Sequence, residues 1–166
     1  MSTLKVNELL NTSGSILPRI IQVQVTTSNT HDTKTQGGEL PTYRTNITPT
    51  SSSSKILLIA HMGCISSGGS YDGGISFMRD GSDISDSIGS GGSDINTSFV
   101  SAMDESTTNA ASSTGIFLDD PNTTSQITYS LKANPNGSET MFINRRGHDT
   151  TYAFRSSLIC IEIGGI

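Results

Sequence analysis

Arg19-Ile-Ile-Gln-Val-Gln-Val-Thr-Thr27 alternates between apolar and polar side chains, with Ile21, Val23 and Val25 on one face and Gln22 and Gln24 on the other. A period of two is that of a pleated strand buried on one side. Working outward, the same period returns in Tyr43 to Thr48, in Gln126 to Lys132 and in Ser157 to Ile163. The runs are divided by turn signals: Thr48-Pro-Thr followed by Ser51 to Ser54, Asp80-Gly81, Asp119-Asp-Pro-Asn122 and Pro135-Asn-Gly137. Asp80-Gly81 between two strand-like runs is a hairpin signal, and residues 126 to 145 read as a second hairpin. Ser28 to Pro41, Ser82 to Asn96 and Asp104 to Thr114 carry little or no period and read mainly as loop, the second with the option of an edge strand.

Lys55-Ile-Leu-Leu-Ile-Ala-His-Met62 differs from these runs because it is apolar on both faces, as in a central strand covered on both sides. A sandwich sheet ordinarily keeps one face wet. The second face of this strand therefore calls for a cover, either a loop or another subunit. About eight strands with no convincing helix predict an all-β, antiparallel sandwich of jelly-roll type over residues 17–166, preceded by a short arm, 1–16. Val23, Val25, Ile59, Ile127, Leu131 and Ile161 are its expected core.

Composition agrees with that class. Of 166 residues, 27 are Ser and 21 Thr, with 17 Gly, no Trp and only 15% charged. Such a chain is poor in helix formers and suits turns and exposed strand faces, which excludes coiled coils and helical bundles. Eighteen Ile, gathered in short runs, argue against disorder of the whole chain. The net charge of -5 predicts no nucleic-acid partner. No apolar run approaches a membrane span, and the opening Met1-Ser-Thr-Leu-Lys5 lacks the apolar stretch of a secretion signal. Cys64 and Cys160 lie in apolar runs and read as buried core residues; a disulfide between them would need neighbouring strands.

Chemistry is sparse. There is no Gly-X-Ser-X-Gly elbow, P-loop or His-Glu-X-X-His. His61 lies within the apolar strand, where a structural hydrogen bond is the expected role, while His31 and His148 each neighbour an aspartate that a strand would turn to the opposite face. Asp80, Asp83, Asp86 and Asp94 match no EF-hand spacing and read as turn residues rather than a Ca²⁺ site. The expectation is therefore no enzyme, no cofactor and no metal. Tyr71, among glycines, and Tyr152 are candidate stacking surfaces for a glycan. In the arm, Leu4, Val6, Leu9 and Leu10 stand among polar residues, too few for a core and too many for an inert tail, and read as partner-docking residues.

The opening Met1-Ser-Thr-Leu-Lys-Val-Asn7 with Asn11-Thr-Ser-Gly14 resembles the start of small virion fibre proteins of marine tailed phages, particularly those infecting cyanobacteria. Ile47-Thr-Pro-Thr-Ser-Ser-Ser-Ser-Lys-Ile-Leu-Leu-Ile-Ala-His61, Phe77-Met-Arg-Asp-Gly-Ser82, Leu118-Asp-Asp-Pro-Asn-Thr-Thr124 and Ile161-Glu-Ile163 are similar to motifs of that family. The resemblance implies an N-terminal segment that attaches to other virion proteins and a β domain displayed on the virion surface after synthesis in the host cytoplasm. It also implies self-association, commonly as a homotrimer, and contact with the host surface. A departure is that Ile16-Leu-Pro-Arg19 follows the opening with little shaft, so a knob, a short fibre or a capsid decoration fits better than a long tail fibre. A free carbohydrate-binding module is the alternative from another class.

Overall fold

The structure, a computed structural model, describes residues 17–67, 73–90, 96–100, 111–137 and 139–164. Its strands are β1 (Arg19–Ser28), β2 (Asp32–Lys34), β3 (Gly38–Ile47), β4 (Lys55–Ser67), β5 (Gly73–Arg79), β6 (Ser82–Asp83), β7 (Phe99–Val100), β8 (Ala111–Asp119), β9 (Ile127–Pro135), β10 (Met141–Ile143) and β11 (Ser156–Gly164). A 3₁₀ turn covers Ser85–Ser87. All pairings are antiparallel. One sheet runs β1-β11-β4 with β8 on the far side of β4, and β10 and β2 extend it along the end of β4. The other runs β3-β9-β5-β6, with β7 also on β5.

Between the sheets lies a shared core that includes Leu40, Tyr43, Leu58, Met62, Phe77, Ile127, Tyr129, Leu131 and Leu158. The fold is the expected all-β sandwich. Asp80 and Gly81, both at positive φ, make the expected two-residue hairpin, with Met78 opposite Asp83 and Arg79 opposite Ser82.

Several expectations fail for identifiable reasons. Residues 126–145 are not a hairpin, because β9 pairs with β3 and β5 in one sheet while β10 pairs with β4 and β2 in the other. The Pro135-Asn-Gly turn carries the chain across the sandwich instead, with Gly137 at positive φ. β2 and the first half of β8 arise from segments that read as loop, since hydroxyl-rich stretches form strands when a neighbouring strand supplies the hydrogen bonds.

The largest correction concerns the face that points inward. Ile127 and Leu131 are in the core, but Val23 and Val25 are 49% and 53% exposed, and Ile59 and Ile161 lie half-buried on the outer side. Because β4 and β11 carry aliphatic residues on both faces, the period alone does not choose between them. The deciding residue is Glu162, fully buried on the inner face opposite Ile56 and Gln22. Its carboxylate accepts Thr50 N–H at 2.7 Å, the Thr50 hydroxyl at 2.6 Å and the Gln22 amide at 2.7 Å. With those partners a buried carboxylate is tolerable. The serine-rich turn is thereby fastened to β11.

Burial raises the affinity of Glu162 for a proton, but donation from Thr50 and Gln22 outweighs it and holds the carboxyl below its ordinary 4.5. A depressed folded-state pKa stabilises above the unfolded value and is lost as pH falls below about 4.5. Glu162→Gln is expected to cost about 2 kcal/mol at pH 7, by turning an amide toward the Thr50 donors. It should also flatten the decline of stability below pH 4.5, a change that denaturant melts at pH 7 and 3.5 would read out.

The cysteines lie on adjacent strands, yet Cys160 stands opposite Leu58, and Cys64 lies six residues further along β4, about 20 Å away. That separation forbids a disulfide, and both thiols are free and buried. Burial pushes Cys64 up to about 11 and Cys160 up to about 12. Neither thiol is expected to react with iodoacetamide at pH 8 in the native protein, while both should react in denaturant, as mass spectrometry would show.

Candidate assembly surface

The register of β1, β11, β4 and β8 builds the outer face of their sheet residue by residue. Val25 stands opposite Ile159, Ile159 opposite Ile59, and Ile59 opposite Ile116. In the adjacent row Val23 meets Ile161, Ile161 meets Leu57, and Leu57 meets Leu118. Directly opposed residues share a face, so two rows of four aliphatic side chains cross the sheet. On the flanking strands they are wet, with Ile116 67% and Leu118 49% exposed. On the central strands Leu57, Ile59, Ile159 and Ile161 are half-buried by their neighbours.

The rows are closed at each end by polar side chains. At one end Ser157, His61 and Thr114 align, with His61 Nδ1 and the Thr114 hydroxyl 3.0 Å apart. His61 therefore makes the expected structural hydrogen bond, though at the exposed surface and not inside a covered strand. At the other end Lys55, opposite Ile163, pairs with Asp120.

The sequence shows half of this face, the second side of β4, and leaves out the flanking strands that complete it. The visible signal was that both β11 and β1 add aliphatic residues in the same phase. Of the residues predicted to bind, Leu4, Val6, Leu9, Leu10 and Tyr71 lie outside the described residues. Tyr152 is 53% exposed, with the Arg146 guanidinium 4.5 Å from its ring centroid, so one ring face is already occupied. The structure does not bring Tyr152 to the aliphatic rows.

No family model and no curated protein matches the chain.

Beside the far end of β8 is a polar cavity of about 360 Å³ lined by Arg79, Asp80, Asp83, Asp86, Phe117 and Asp119 among others. Its carboxylates are engaged by the chain itself. Asp119 accepts the Tyr129 hydroxyl at 2.5 Å and Arg79 at 2.9 Å, Asp83 pairs with Lys132 at 2.7 Å, and Asp80 accepts Thr128 N–H at 2.8 Å. Burial and the Asp119 carboxylate push the Tyr129 phenol far up, so it remains a protonated donor. Asp94 lies outside the described residues. Among the described residues no group of three or more His, Cys, Asp or Glu is placed to hold a metal ion. Dialysis against EDTA is expected to leave the melting temperature unchanged, and a sharp fall would mean that the folded chain binds a metal.

Proposed function

We propose that this chain is a non-enzymatic structural protein of a tailed phage, a trimeric fibre- or knob-type appendage displayed on the virion surface and anchored by residues 1–16. The outer face of β1-β11-β4-β8 is the observation that carries this reading. A lone domain gains nothing by leaving two aliphatic rows outside, whereas an assembling one gains a ready contact surface. The resemblance of the opening and of the Thr-Pro-Ser turns to virion fibre proteins supports the setting. The arm's apolar residues Leu4, Val6, Leu9 and Leu10 supply a second contact, separate from the sheet face. Three weak arm contacts acting together bind far more tightly than one, which suits a small appendage on a large particle.

Removing residues 1–14 is expected to leave the β domain folded and oligomeric while abolishing its incorporation into particles, measured by quantitative mass spectrometry of purified virions. Normal occupancy by the truncated chain would overturn the anchoring role.

A further inference from the structure

We propose that the outer face of β1-β11-β4-β8 is where copies of this chain meet, the β1 side of one copy packing on the β8 side of the next. This deepens the reading above and takes only the number three from it; the choice of face rests on the sheet itself. The first consideration is area. Four strands at about 4.8 Å spacing, each about nine residues long, present a face of roughly 19 by 30 Å. That is roughly 570 Å² in projection, shared between the two contacts each copy makes in a ring, so each contact is small beside the ~800 Å² per partner of a standard-size interface.

The second argument is charge. Copies of a chain with net charge -5 repel one another. This face has no charged residue in its aliphatic rows; Lys55 and Asp120 pair at one end, and at the other the Arg155 guanidinium reaches Thr27. The rows themselves therefore add no like-charge repulsion between identical copies, and a strongly basic partner finds no carboxylate in them to pair with.

The third argument is the distribution of exposure. The wettest aliphatic residues of the rows are on the two flanking strands, Val23 and Val25 on β1 and Ile116 and Leu118 on β8. A closed ring uses two different sides of each copy. Around a threefold axis Val23 and Val25 of one copy cover Ile116 and Leu118 of the next, and the half-buried rows of β11 and β4 face the axis.

The test is the solution mass of the full chain by light scattering at about 10 μM, for wild type, Ile116→Asp, Val23→Asp and the control Thr33→Asp. Thr33 is an exposed residue of β2, away from the rows. Circular dichroism verifies the fold of each, and the substituted side chains are already wet, so the fold is expected to survive. Wild type and Thr33→Asp should show three times 17.5 kDa. Each face variant should weaken association about 100-fold or more and run as a monomer. The double variant Val23→Asp with Ile116→Lys should recover the assembly, because opposite charges then meet across the contact.

A wild-type monomer would overturn the proposal. So would a trimer that both face variants leave intact, although the functional reading would then keep its trimer. A wild-type dimer dispersed by the variants would uphold this face and contradict the threefold appendage. A double variant that stays monomeric would overturn the β1-on-β8 arrangement.

Discussion

Asn144→Ala is expected to cost about 5 kcal/mol, comparable to the whole stability of many domains, and to leave much of the chain unfolded at 37 °C. Asn144 is fully buried, directly after β10, at φ +59. Its amide nitrogen donates to Tyr43 Oη at 2.6 Å and to the Thr30 and Ser28 carbonyls at 3.0 and 3.2 Å, while its oxygen accepts the Ser156 hydroxyl at 2.5 Å. Its own N–H donates to the Cys64 carbonyl, and its carbonyl accepts Phe154 N–H. One side chain thus fastens the end of β1, β3 and the start of β11 together. Alanine would leave several of these buried groups unpaired, at about 1–3 kcal/mol each. It would also place a Cβ without compensating bonds in the left-handed region, at about 1 kcal/mol. Asn144→Gly removes only the backbone penalty and should recover about 1 kcal/mol of the loss in urea melts. Equal stability of the alanine variant and wild type would show that the network carries no energy.

The second large effect is expected at Asp119, which closes the opposite end of the sandwich. It ends β8 in one sheet and accepts from Arg79 on β5 and Tyr129 on β9 in the other. Asp119→Ala strands a buried phenol and leaves a guanidinium without its carboxylate. Breaking a fully buried charged pair costs about 3–5 kcal/mol, but Arg79 is about a third exposed, so about 3 kcal/mol is expected here. Asp119→Asn keeps an acceptor for Tyr129 and should lose about half as much. Tyr129→Phe removes the phenol without stranding the ion pair and should cost about 1 kcal/mol. If all three variants melt alike, the clasp between the sheets is not stabilising.

How far the fold could be read from the sequence depended on whether a single strand sufficed. Asp80-Gly81 was legible because two residues at positive φ define a turn locally. So were Ile127 and Leu131, whose polar alternates leave one choice of face. A strand read alone places its apolar side on the core, which puts Val23 and Val25 inward. Yet β1 is an edge strand whose phase follows its register with β11, and β11 is oriented by Glu162 and its Thr50 and Gln22 donors, which are distant in the sequence. The β9-β10 crossing was equally hidden, since a tight turn looks the same whether the chain returns to its own sheet or passes to the other. The assembly surface was half visible: the two-sided β4 announced a covered face, but only pairing across four strands collects the rows that fill it.

Under the proposed reading the chain is a phage virion protein, and immunogold labelling of intact particles of such a phage, with antibody raised against residues 17–166, tests that account most directly. The account predicts gold at one repeated position on the particle surface, lost when residues 1–14 are deleted. Particles that carry no label, with the full-length chain found only free in the lysate, would contradict it.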